Sequence, residues 1–142
     1  MVLPAELKVN VIEFPGAQLV VSRATKFPED IKGCWQRLES KLRSLKGRSF
    51  YGLAFTEGDK ITYYATLETS DPEEIKALGL PTMLLGSGKY VCVKLLNWSE
   101  HTGEIGEIFA FLHSKYMKDS SRPNVEFYRS QAELHLLMPI ME

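Results

Sequence analysis

The sequence predicts an α+β fold: two pseudo-twofold-related β-α-β-β units, with an antiparallel sheet, two long helices and one short linking helix. Three observations predict it. The order strand, corner, strand, helix, hairpin runs once over 8–68 and again over 81–140. Gly16 and Gly88 mark corresponding corners, 72 residues apart. Phe50-Tyr51 and Phe127-Tyr128 stand at corresponding hairpin entries. Repeated units of this size bury their apolar faces against each other, and the seam between them is a natural place for a pocket. The chain therefore reads as a single domain over 1–142, with repeat 1 at 8–68, a linker helix at 71–79 and repeat 2 at 81–140.

Each element has its own signal. Residues 8–27 read as two strands joined at Pro15-Gly16. A helix is expected over 28–46, opened by Pro28, Glu29 and Asp30, which suit the positive end of a helix dipole. Its apolar stripe is Ile31, Cys34, Trp35, Leu38, Leu42 and Leu45 at helical spacing, and Gly47 ends it. The hairpin at 50–68 turns at Gly58-Asp59, which pairs Leu53 with Tyr64 and Tyr51 with Thr66. Asp71 caps a short helix at Pro72–Leu78, and Gly79 stops it. Strand residues follow at 81–96. A second long helix is expected near 102–117, with Thr102 as cap and a stripe of Ile105, Ile108, Phe109, Leu112 and Tyr116. The last hairpin spans 125–140.

Composition excludes several classes. The chain has 142 residues, 44% hydrophobic and 25% charged, with a net charge of −1. A nucleic-acid binder would show a basic stripe. Lys41, Arg43, Lys46 and Arg48 do cluster, but cations are favoured at a helix C-terminus, so no direct nucleic-acid contact is expected. No apolar run approaches the roughly 20 residues that cross a bilayer, and Met1–Glu6 lacks a leader pattern. No membrane role is expected, and the simplest address is cytoplasmic. Cys34 and Cys92 read as small buried hydrophobes. His101, His113 and His135 lack metal-ligand spacing. Gly86-Ser87-Gly88-Lys89 reads as a turn between strands rather than a phosphate loop. The residues call for no metal and no cofactor.

The residues that carry chemistry lie in the last hairpin. A turn at Ser130-Gln131 would set Tyr128 opposite Glu133 and Glu126 opposite His135. Val125, Phe127, Leu134, Leu136 and Met138 would then share the other face. The pseudosymmetry places Tyr51 and Tyr64 in the related positions of the first half. Carboxylates ringed by phenols and an indole suit an aromatic or amphipathic cation. A cation over an aromatic face gains about 0.5–2 kcal/mol. A carboxylate at roughly 4 Å adds about 4 kcal/mol at an effective dielectric near 20, before desolvation is subtracted. Plainer readings stand beside this one. Glu133 and His135 suit the solvated face of an antiparallel sheet, and that reading outweighs a ligand role. Trp35 suits a core stripe, and Tyr51 and Tyr64 suit aromatic core with wet hydroxyls. Glu126 is the sharpest candidate, because it interrupts an aromatic strand, Val-Glu-Phe-Tyr.

Several motifs together resemble a known family. Gly88-Lys89-Tyr90-Val91, Trp35, Tyr51-Gly52, Tyr63-Tyr64, Glu126-Phe127-Tyr128 and the ending Glu133-Leu134-His135-Leu136-Leu137-Met138-Pro139-Ile140 are similar to motifs of stand-alone GyrI-like small-molecule-binding domains. The same module forms the effector-binding part of some AraC- and MerR-type transcription regulators. The resemblance covers nearly the whole chain. It implies two β-α-β-β units about a pseudo-dyad with a ligand cleft between them. It also implies a carboxylate in an aromatic pocket: Glu126, with Trp35, Tyr51, Tyr64 and Tyr128 as walls and Glu133 nearby. Where the family carries a glycine after its Gly-x-Tyr strand, this chain has Asn97-Trp98, which sets Trp98 toward the pocket rim.

The expected function is binding of a bulky cationic or aromatic small molecule, as a sensor or sequestering protein. No helix-turn-helix fits beside the domain, so regulation would need a partner chain or a homodimer. Two alternatives remain: a hydrolase that detoxifies a reactive compound in the same pocket, with catalytic residues unassigned, and a gyrase-inhibitor-like surface that engages a protein.

Overall fold

The computed structural model describes residues 8–141. The Met1–Glu6 segment read for a leader lies outside them. Eight strands form one antiparallel sheet: β1 (Val9–Phe14), β2 (Ala17–Arg23), β3 (Phe50–Glu57), β4 (Lys60–Glu68), β5 (Thr82–Leu85), β6 (Gly88–Leu96), β7 (Asn124–Tyr128) and β8 (Glu133–Pro139). The helices are α1 (Ile31–Glu39), α2 (Pro72–Leu78) and α3 (Ile105–Lys115).

The strand order is β1-β6-β8-β7-β3-β4-β2-β5. It reads the same from either end once β1–β4 are exchanged for β5–β8, so the two units take matching places and meet where β7 pairs with β3. β1 lies in the second unit's half, on β6, and β5 lies in the first unit's half, on β2. Only Pro15-Gly16 separates β1 from β2, although they stand near opposite ends of the order. The sheet must therefore curl. Pairing runs through the corner with no residue inserted: Phe14 meets Gly88 before it and Ala17 meets Leu85 after it. Gly16 turns the corner at φ +88°, a conformation that favours glycine.

Alternation along each strand divides the core. Inside the curl, Leu19, Val21, Tyr51, Leu53, Tyr90, Cys92, Val125 and Leu137 pack without a helix. On the other face α1 covers Val20, Ala65 and Leu67 through Cys34 and Leu38. There α3 covers Val91, Val93, Leu134, Leu136 and Met138 through Ile108 and Leu112. Both cysteines are buried and free.

The hairpin at 50–68 has the expected register. So does the capping of α2, where the Asp71 carboxylate accepts from the Glu73 amide and Gly79 closes the helix at φ +64°. The long helices are shorter than expected. After Glu39 the backbone switches to tighter bonds, Lys41 N–H to Leu38 O and Leu42 N–H to Glu39 O. The basic cluster thus follows α1 rather than ending it, and Arg48 makes a paired contact of 2.6 and 3.0 Å with Glu74 at α2. Before α3 the chain makes two 3-10 turns, Trp98–Glu100 and Thr102–Glu104.

The last hairpin departs from expectation. Tyr128 pairs with Leu134, Glu126 with Leu136 and Phe127 with His135. Five residues separate Tyr128 from its partner, where a two-residue turn would leave four. Ser130 builds the longer loop: its hydroxyl accepts from the amides of Ala132 and Glu133. Every β8 side chain consequently stands on the face opposite to the one expected.

Candidate functional site

The register sorts the predicted residues into two groups. Glu126 and Tyr128 face the helices. Phe50 and Gly52, their partners on β3, face the same way. Glu133 and His135 face the inside of the curl; they bond to each other, and the His135 ring lies edge-on to Phe127 at 5.7 Å. Tyr51 and Tyr64 are also on the inner face. Tyr51 stacks on Phe127 at 4.9 Å and donates to Glu68 Oε1 at 2.7 Å, while Tyr64 meets Phe55 at 5.8 Å. The expected constellation is thus divided by the sheet. Phe50-Tyr51 does not superpose residue for residue on Phe127-Tyr128, because Tyr128 shares a face with Phe50 and not with Tyr51.

Other residues complete the site around Glu126. Tyr63, across β4, donates from Oη to Glu126 Oε1 at 2.7 Å, and Tyr128 Oη donates to the same oxygen at 2.8 Å. Trp35 Nε1 donates to Tyr63 Oη at 3.0 Å. A relay therefore runs Trp35 to Tyr63 to Glu126, with Tyr128 closing on the same carboxylate. Neither Tyr63 nor Tyr128 bonds to Oε2, and no described residue does.

The surrounding rings come from both units. Trp35 on α1 and Trp98 on the turn before α3 each lie edge-on to Tyr128 at 5.2 Å. Trp35 also meets Phe50 at 6.1 Å, and Phe27 meets Tyr63 at 6.2 Å. Trp98 is held by its indole N–H, which donates to Ser130 O at 3.2 Å. The site therefore stands where the α1-covered and α3-covered clusters meet. The floor is made of small residues: Gly52, Ala54 and Ala65 neighbour one another across β3 and β4. A methyl group at 52 would collide with both Tyr63 Oη and Glu126 Oε1, so the glycine makes room for the hydrogen-bonded pair.

The electrostatics follow from this packing. Burial pushes the Glu126 carboxyl above its ordinary value, and the two phenol bonds pull it part of the way back. By surface area Glu126 is only half-buried. Its carboxyl nevertheless lies deep among protein atoms, and that depth governs its proton affinity. Burial, then the Glu126 charge, push Tyr63 and Tyr128 well above the usual phenol range, so both remain donors.

Sequence reasoning missed Tyr63 as a partner of Glu126. Half of the signal was present, since Tyr63 shares a face with Phe50 in the correctly registered hairpin; the pairing of Phe50 with Tyr128 comes only from the folded sheet. Two surface hollows lie away from Glu126. One of about 550 Å³ includes Tyr64, Arg23 and Arg37 in its wall. The other, of about 460 Å³, lies against α3.

No family model matches the sequence, and no curated protein matches it. Solved structures share the fold. An integron cassette protein from Vibrio cholerae superposes with a TM-score of 0.69 at 16% identity, over 94% of this chain and 95% of that one. The protein SAV2435 bound to tetraphenylphosphonium gives 0.69 at 19%, over 94% of each chain. A hydrolase from Listeria innocua gives 0.59 at 14%, over 94% and 92%. At these identities the likeness is one of fold. Among the described residues no helix is long and apolar enough to cross a membrane.

Proposed function

We propose that the protein binds bulky hydrophobic cations above Glu126, as a sensor or sequestering module of the GyrI-like kind. One observation carries the reading: both phenols spend their hydrogen bonds on Oε1, which leaves Oε2 of a deeply set carboxylate to meet a charge. Trp35, Phe50, Tyr63, Trp98 and Tyr128 supply aromatic faces around it. Cation–π contact and one ion pair, each of the size reckoned above, together with apolar burial support micromolar affinity, about −8 kcal/mol. The tetraphenylphosphonium carried by SAV2435, a protein of the same fold, supports the ligand class.

The test is a titration of tetraphenylphosphonium against tryptophan fluorescence, with neutral triphenylphosphine oxide beside it. Glu126→Gln should weaken the cation at least tenfold and leave the neutral compound within twofold. Equal weakening of both would remove Glu126 as the charge partner. A second reading rests on the raised Glu126 carboxyl, which also suits acid–base work on an electrophile. It is separated by turnover that vanishes in Glu126→Gln while binding of the neutral compound persists.

A further inference from the structure

The 550 Å³ hollow lies at the end of β2, between the C-terminal end of α1 and the connection from α2 to β5. A strand edge comes free there. β5 pairs with β2 only from Ala17 to Val20, and one further bond runs from Val21 N–H to Pro81 O at 2.9 Å. On its other side β2 bonds to β4 in the line of its even-numbered residues: Gln18 O accepts from Thr69 N–H at 3.1 Å, and Ala24 N–H donates to Tyr63 O at 2.9 Å. Backbone groups of an antiparallel strand alternate between its two sides. Those of Arg23 therefore point away from β4, to the edge that β5 has left. Arg37 Nη2 donates to Arg23 O on that edge at 3.2 Å. Arg23 N–H points the same way, and no strand is there to accept from it. An unpaired donor on a strand edge is a ready place for an outside acceptor.

The charges around this edge have one sign. Arg23, Arg37 and Lys41 line the hollow, and no acidic side chain lines it among the described residues. Asp30, outside the lining, accepts from the two terminal nitrogens of Arg37 at 2.5 and 3.2 Å and from the amide and hydroxyl of Thr25. It answers Arg37 and leaves Arg23 and Lys41 unanswered: both are exposed and make no ion pair with a described residue. Arg37 keeps its Nε–H unused by the described residues, on a side chain that is 48% exposed. The rest of the lining is apolar. Tyr64, Leu80 and Met83 stand half-buried, and Val21 is buried beneath. The unbranched Met83 thioether can follow the shape of a flexible chain.

We propose that this hollow binds an aliphatic carboxylate of medium chain length. Its oxygens accept from Arg23 N–H and Arg37 Nε–H, the Arg23 and Lys41 side chains balance its charge, and its hydrocarbon lies against Val21, Leu80 and Met83. Hydrogen bonds to an ionised carboxylate are the strong kind, and the apolar wall rewards a chain over a bare anion. The hollow shares no lining residue with the aromatic cage around Glu126, so the site stands whether or not that cage binds cations.

The probe is octanoate, titrated by calorimetry into the full chain beside octanamide and acetate. Octanoate is expected to bind at least tenfold tighter than either, and Arg23→Gln should weaken it about tenfold. Backbone amide shifts should centre on Arg23, Lys41 and Thr82, with the Arg23 N–H moving downfield as it donates to the carboxylate. This mapping needs no variant, so it decides the matter even if a substitution disturbs folding. Tetraphenylphosphonium at saturation should leave the octanoate affinity unchanged. Equal affinity for octanamide would remove the charge from the recognition, and acetate binding as tightly would remove the aliphatic body. Indifference to Arg23→Gln in a variant of native melting temperature, competition with tetraphenylphosphonium, or shifts centred on Glu126 would each overturn the site.

Discussion

At the scale of single residues the carboxyl of Glu126 decides most. Its proton is held more tightly in the folded chain than in the unfolded one, because burial disfavours the charge. The folded state then binds more protons than the unfolded state between the ordinary carboxylate value near 4.5 and the raised native value. Stability should fall as pH rises through that window and level off above it. Glu126→Gln should flatten the slope and raise the melting temperature of the ligand-free protein at neutral pH. An unchanged slope in thermal melts from pH 4 to 8 would mean that Glu126 is not the group responsible. The same carboxyl stood out in the sequence, since a charge inside an aromatic strand needs a reason. Tyr63 was harder to read. A phenol on a buried strand face looks like ordinary core until its partner across the sheet is known.

At the scale of elements, the turn that carries Trp98 lies against Tyr128. The chain reaches it through Asn97 in a left-handed conformation at φ +53°, and one indole hydrogen bond to Ser130 O fastens the ring against Tyr128. In the function proposed above, the cation reaches Glu126 past that ring. Trp98→Ala should therefore speed association of tetraphenylphosphonium several-fold and weaken its affinity by about 1 kcal/mol, the worth of one aromatic face. Stopped-flow fluorescence of Trp35 would read both; an unchanged association rate would place the entrance elsewhere. The elements with strong local punctuation were legible in sequence: Asp71 and Gly79 bounded α2, and Gly58-Asp59 set the register of β3 on β4. The β7–β8 loop has no glycine. Ser130-Gln131 looks like a two-residue turn, and the serine bonds that lengthen it by one residue are visible only when folded.

At the scale of the whole molecule, the exchange of β1 and β5 between the halves ties the two units together. Neither unit closes its own sheet: β6 needs β1 on its flank, and β2 needs β5. Unfolding in urea should be a single transition in which fluorescence and circular dichroism coincide. A fragment of residues 81–141 should lack native dispersion in its amide spectrum; a folded fragment would show the halves to be independent. The sequence by itself determined the kinds and order of the elements and the apolar stripes of α1 and α3, because periodicity and turn chemistry act over a few residues. Only the tertiary structure decided the register of β8, the exchange of the outer strands and the meeting of Trp35, Tyr63 and Trp98 around one carboxylate. A side chain's face repeats every two residues, so one added loop residue reverses a strand, and contacts between distant segments settle which register is the stable one.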